Sequence, residues 1–226
     1  MKKITALALA VLMVLALCAC GSTETAAAPA AEEAAAAPAE AAAFTEPTKD
    51  EPVVSLNGEF KADLGKGSVL VTSVGQSADA AMMENILKKA GVEFTSNTSA
   101  TADDLSGVGT IIVVAGASTK GLGAAGISTE DELARAQELL AACKENGISV
   151  ILTHIGGSAR RGSLSDQFTQ LVMDNADCML VVNDGEYDGN GTHDQFFSNY
   201  AAANSIPLTL LNNVAACVEP LTNIFA

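Results

Sequence analysis

Six short apolar runs that alternate with amphipathic helical stripes limit what this chain can fold into. The runs span residues 68–72, 92–95, 110–114, 148–153, 179–182 and 207–211. Between them the apolar residues recur at helical spacing. One stripe is Met82, Met83, Ile86, Leu87 and Ala90, closed by Gly91; a second is Leu133, Ala136, Leu140 and Cys143, ending at Gly147. A third is Leu164, Phe168, Leu171 and Val172, and a fourth is Phe196, Phe197 and Tyr200. Ser128 or Thr129 is placed to cap the second and Ser163 the third, each with an acidic residue three positions on. Val214, Cys217, Val218, Leu221 and Phe225 close the chain as a docking helix. The run Thr110-Ile111-Ile112-Val113-Val114 does not alternate, as expected for a strand covered on both faces. Such alternation forces parallel pairing through right-handed crossovers. The expected fold is α/β, a single three-layer doubly wound parallel sheet of five to six strands. Only one helical turn, around Asp103-Asp104-Leu105, separates the second and third runs. That suits the flavodoxin-like order 2-1-3-4-5 with an added edge strand, and the Rossmann-like order 3-2-1-4-5-6 stays open.

The region before the first run has a different character. Lys2 and Lys3 precede an apolar stretch from Ile4 to Leu17, too short to span a bilayer, which reads as a secretory signal over residues 1–19. Leu17-Cys18-Ala19-Cys20 resembles the lipobox of bacterial lipoproteins. The resemblance implies cleavage before Cys20, lipidation of its thiol and a membrane anchor on an extracytoplasmic face; more than one acyl chain holds stably. Residues 20–52 are rich in Ala, Pro and Glu, and Pro29, Pro38, Pro47 and Pro52 interrupt any helix. They read as a spacer with too little apolar bulk to order. The folded domain is then residues 53–226, where 20 acidic face 9 basic side chains, a balance of −11. This charge argues against nucleic acid and against contact with anionic lipid, so the membrane is met through the anchor alone.

In a sheet of this kind, ligands bind beyond the carboxyl ends of the strands, where the strand order reverses. The connections that reach that edge are 73–77, 115–128, 154–162 and 183–194, whereas those at the opposite edge are short. Lys120, Arg160, Arg161, His154 and His193 all fall on the carboxyl-edge connections of an otherwise acidic domain. Guanidiniums near a helix start can receive a carboxylate or phosphate. The plainer alternative has Arg160 and Arg161 as loop charges pairing with Asp166 or Asp184. The candidate ligand-binding set is Gly75, Gln76, Ser77, Ser118, Lys120, Gly121, Gly123, His154, Arg160 and Arg161, with the histidine as donor or pH-sensitive contact.

Other motifs carry less. Gly121-Leu122-Gly123-Ala124-Ala125-Gly126 matches the dinucleotide pattern G-x-G-x-x-G, but residues 115–120 separate it from its strand. Thr153-His154 stand where an acidic residue is required, so no nicotinamide or flavin cofactor is expected. Asp184, Glu186, Asp188 and Gly189 open like a calcium loop, yet Gln195 occupies the twelfth position, and a solvated acidic loop is the reading. Ser77, Ser118 or Ser158 with His154 and Asp184 lack a nucleophile elbow, and no catalytic residue is assigned. Cys143, Cys178 and Cys217 lie in apolar patterns without ligand spacing and read as small core residues.

Three segments, 72–77, 116–127 and 154–166, resemble an uncharacterised bacterial family of secreted or lipid-anchored domains. The similarity runs from about Gly67 to Phe225 and implies no reaction or ligand. The functional expectation therefore rests on the edge loops: an extracytoplasmic lipoprotein binding a small anionic molecule, as accessory to a membrane transporter or sensor. An envelope hydrolase or transferase using the same loops, and a protein-binding scaffold, are the alternatives.

Overall fold

The computed structural model describes residues 46–58, 60, 62–183 and 193–226. The signal segment, Cys20, most of the spacer and the acidic loop 184–190 lie outside the described residues. The chain runs β1 (Val53–Leu56), β2 (Ser68–Val74), α1 (Asp79–Ala90), β3 (Thr95–Ser96) and β4 (Val108–Ala115). It continues through α2 (Thr119–Ala125), α3 (Thr129–Glu145), β5 (Ser149–His154), α4 (Ser163–Met173) and β6 (Cys178–Val182). The last elements are α5 (His193–Asn204), β7 (Leu208–Leu211) and α6 (Val218–Ile224).

One sheet contains all seven strands, in the order β1-β7-β6-β5-β4-β2-β3. Six are parallel and β1 alone runs antiparallel, against β7. The expected five to six strands thus fall short by one. Val53-Val54-Ser55-Leu56 is too brief to stand out beside a proline-rich segment, and only its pairing with Leu208–Leu211 makes it a strand. The strand around residues 92–95 is also shorter and later, just Thr95 and Ser96.

Alternation along each strand feeds two separate cores. Ile111, Val113, Leu152 and Val181 pack with Leu139, Leu140, Phe168, Val172 and Phe197 under α3, α4 and α5. Ile112, Val114, Ile151 and Leu180 pack with Met83, Ile86, Leu87, Leu221 and Ile224 under α1 and α6. Helices therefore cover both faces, and the central strands are buried throughout. Cys143, Cys178 and Cys217 are buried and free. Burial raises all three thiols, Cys143 to about 11 and Cys217 to about 12.

Three local expectations change. Met82 is not on the α1 stripe but exposed, since 100° per residue turns it away from Met83. Gly162, not Ser163, takes the cap position of α4, where the Asp166 carboxylate accepts its N–H at 3.1 Å. The glycine-rich connection after β4 holds a helix, α2, which its glycines disguised. Ser118 caps it by accepting from the Gly121 N–H at 3.1 Å, and Gly126 ends it at φ 69°.

The glycines of α2 differ in what they permit. A Cβ on Gly121 would fall 1.7 Å from the Gln76 carbonyl oxygen, whereas one on Gly123 would meet nothing within 4 Å. Gly121→Ala is expected to destabilise the domain by about 2 kcal/mol or more through overpacking. Gly123→Ala is expected to stabilise it by about 0.5–1 kcal/mol through helix propensity. Urea midpoints of the two variants, moving in opposite directions, check this.

Candidate functional site at the carboxyl edge

The connection after β2 leads to β3 on one side and the connection after β4 leads to β5 on the other, so their ends frame the switch point. Here that crevice is laced shut by main chain. The Gly116 N–H donates to the Val74 carbonyl at 3.0 Å, and the Ser118 N–H to that of Gly75 at 2.9 Å. Gln76 and Ala117 form an isolated antiparallel bridge. Gly75, at φ 100°, has no room for a Cβ, which would sit 2.5 Å from the Gly116 oxygen.

A buried carboxylate holds this lacing from below. Glu132, in the first turn of α3, is wholly buried and accepts the Gly75 N–H at 2.9 Å and the Gln76 side-chain amide at 3.1 Å. Arg135, one turn on, pairs with it at 2.7 Å and donates to the carbonyls of Ser73 and Ala100. The Gln76 amide also donates to the Thr98 carbonyl, so both its N–H groups are used within the fold. Ser77 accepts from the Asp79 N–H at 3.3 Å, and Ser118 serves as the cap of α2. Of the expected polar contacts in these two loops, the Gln76 amide N–H groups, the Ser118 hydroxyl oxygen and the backbone of Gly75 are therefore already engaged.

The two arginines part company. Arg161 donates to both oxygens of Asp166, at 2.7 and 3.4 Å, and its guanidinium lies 3.8 Å above the Phe196 ring. Its side chain is 2 % exposed, which makes it part of the α4–α5 packing. Arg160 reaches across the rim. Its stem runs over Gly116 and Gly156, where a Cβ would come within 3.4 and 2.1 Å of it. Its guanidinium meets Asp79 at the start of α1, at 2.9 and 3.3 Å. Loops after β2, β4 and β5 thus meet beneath one side chain, which stays 29 % exposed. Lys120 is exposed and makes no salt bridge with any described residue.

His154 is placed apart from this surface. It is wholly buried at the end of β5, with Nδ1 3.0 Å from the Ala115 carbonyl and Nε2 3.2 Å from that of Gly157. Its ring packs on His193 and Phe197 at centroid distances of 5.1 and 5.0 Å. Two carbonyls favour a doubly protonated ring, but burial, reinforced by the neighbouring His193 and the Arg161 guanidinium, prevails and lowers its pKa to about 3. The ring is neutral, so only one of the two contacts is a hydrogen bond. In this position it serves packing and tautomer choice, not a contact with a guest.

Among the described residues, a pocket of about 300 Å³ opens at this edge, lined by Ala117, Arg160, Arg161, Gly162, Ser163 and Ser165 among others. The Ser165 hydroxyl accepts the Ala117 N–H at 2.7 Å and ties the pocket's two walls together. Asp79, Glu132, Arg135 and Ser165 are the residues that sequence reasoning missed. Glu132 carried one faint signal, an acid on the inward face of an otherwise regular amphipathic helix. Among the described residues no group of three metal-ligating side chains occurs, and no helix is long and apolar enough to cross a membrane.

The buried imidazole makes stability pH-dependent. Unfolded, it titrates near 6.5; folded, near 3. Between those values the unfolded chain binds a proton that the native state refuses, so acid favours unfolding. Lowering the pH from 7 to 5 is expected to remove about 2 kcal/mol through this ring. Urea midpoints across that range should fall for the native sequence, and markedly less for His154→Gln.

The three segments singled out in the sequence lie along this edge, at the ends of β2, β4 and β5. No curated protein matches the chain. Residues 66–225 match a family described as a domain of unknown function (DUF6305), and the chain belongs to that family.

Proposed function

We propose that the protein is a membrane-anchored, extracytoplasmic lipoprotein whose α/β domain binds a small anionic molecule at the carboxyl edge of its sheet. Its role on this reading is that of an accessory to a membrane transporter or sensor. The observation that carries the proposal is the state of Arg160. Asp79 takes two of its five guanidinium N–H donors, the other three meet no described residue, and the side chain borders the 300 Å³ pocket. Ser163 adds a hydroxyl at the pocket wall, and Lys120 adds a positive charge in the neighbouring connection. A bidentate guanidinium fixed by one carboxylate is well suited to receive a second. Arg161 lines the pocket too, but its side chain is 2 % exposed and held by Asp166 and the His193 carbonyl, so on this reading Arg161, His154 and the Gln76 amide N–H groups support the pocket's shape and do not enter the binding set.

The hydrolase reading gains nothing from this geometry. His154 turns both ring nitrogens to backbone carbonyls, and Ser118 caps a helix, so neither supplies the partnered nucleophile and base that acyl transfer requires.

Thermal melts of the full chain with phosphate, citrate and succinate test the binding site. A ligand about a hundredfold above its Kd should stabilise by about 2.7 kcal/mol, a rise of several degrees. Lys120→Ala and Ser163→Ala, which leave the Arg160–Asp79 pair intact, should each reduce that rise; no rise with any anion would count against the proposal. The anchor is tested separately: labelled palmitate should enter the native chain in a bacterial host and fail to enter Cys20→Ala.

A further inference from the structure

Among the described residues, the edge strand β1 is paired on one side only, with β7. Its register sets Val53 opposite Leu211, Val54 opposite Leu210 and Ser55 opposite Thr209. The Asn212 N–H donates to the Pro52 carbonyl at 3.0 Å. In an antiparallel ladder the hydrogen-bonded pairs recur every second residue, so Pro52 and Val54 face β7, while Val53 and Ser55 turn their N–H and C=O groups outward. No described backbone group meets those outward groups.

Exposed strand edges are usually guarded by lysine, proline or a bulge. β1 is only four residues long and follows Pro52, but between Val53 and Leu56 no lysine, proline or bulge occurs, and the pairing with β7 shows no register shift. Beside the edge lies a cleft of about 570 Å³, lined by Glu51, Val53, Ser55, Phe60, Thr209 and Glu219 among others. Val53, Val54, Phe60 and Pro220 are its apolar lining residues. Glu51 and Glu219 are its charged side chains among the described residues, and neither forms a salt bridge with a described residue.

We infer that this edge is a docking site for an extended, basic segment of a partner protein, which adds to the sheet as a strand beside β1. Main-chain hydrogen bonds to Val53 and Ser55 supply affinity, and an alternate side chain enters the cleft against Phe60. The two glutamates select the charge. They also disfavour a second copy of this chain, whose own Glu51 and Glu219 would be brought to the same place. The inference rests on β1 and is independent of the carboxyl-edge pocket.

Two synthetic nonapeptides with the same alternating Val/Thr centre, one flanked by lysines and one by glutamates, test it with the full chain at low salt. The basic peptide should bind and slow hydrogen exchange at the Val53 and Ser55 amides. The acidic peptide should bind roughly tenfold more weakly, from two surface pairs turned from attractive to repulsive. Ser55→Pro, which removes the outward N–H together with the 3.3 Å contact of the Ser55 hydroxyl to Thr209, should weaken the basic peptide about fivefold relative to Ser55→Ala, which loses the hydroxyl contact alone, as for one lost hydrogen bond. Glu51→Lys with Glu219→Lys, both on exposed side chains, should reverse the preference and leave the strand intact. Equal binding of the two peptides, or no added protection at Val53 and Ser55, would overturn the inference. So would self-association of the chain that Ser55→Pro abolishes, since the occupant would then be a second copy.

Discussion

The Glu132 carboxylate is buried where the two central connections of the sheet come together, and the carboxyl edge is assembled around it. Taking a charge out of water costs several kcal/mol unless it is paired and hydrogen-bonded. Arg135, the Gly75 N–H and the Gln76 amide offset that cost, the first from α3 and the other two from the connection after β2. The same guanidinium carries the interaction outward to Ser73 and Ala100. A carboxylate so placed specifies one loop conformation, because any alternative strands a charge in the interior. Gly75 at positive φ, Gln76 at φ 56° and the bridge to Ala117 follow from it.

One result is that the usual ligand crevice of a doubly wound sheet is filled by main chain. The open volume is displaced sideways, to the pocket between Ala117 and the start of α4. Arg160 then spans the gap, drawing the loop after β5 onto the start of α1. The edge has two parts with separate physical roles: a locked centre that fixes geometry, and a shallow flank where charge and hydroxyls stay accessible.

Much of the fold was legible because β-branched runs and helical stripes have different periods. The runs that became β4, β5 and β6 are apolar on both faces, a pattern that only sandwiching between helices explains. What escaped was short or disguised. Nothing in Val53–Leu56 distinguishes a strand until β7 supplies its partner, and three glycines hid α2 because their meaning lies in tertiary contacts, with Gly121 against Gln76 and Gly126 as cap. For the candidate site, topology named connections of which those after β2, β4 and β5 meet in space, but composition could not say which polar groups were spoken for. Arg160 finds Asp79 across 81 positions of sequence, and Ala117 finds Ser165 across 48. Those separations leave no local signature, so His154 and Arg161 looked like rim residues although they belong to the interior of the α4–α5 side.

The reversed direction of β1 has a mechanical corollary. Because Val53 sits beside Leu211, the polypeptide enters the domain at the carboxyl end of β7, where the strand-end connections gather. Asn212 grips that entering stretch twice, through its N–H to Pro52 and its amide to the Thr48 carbonyl. Tension that reaches Thr48 is therefore borne, among the described residues, by a single asparagine and then by the four-residue β1–β7 ladder.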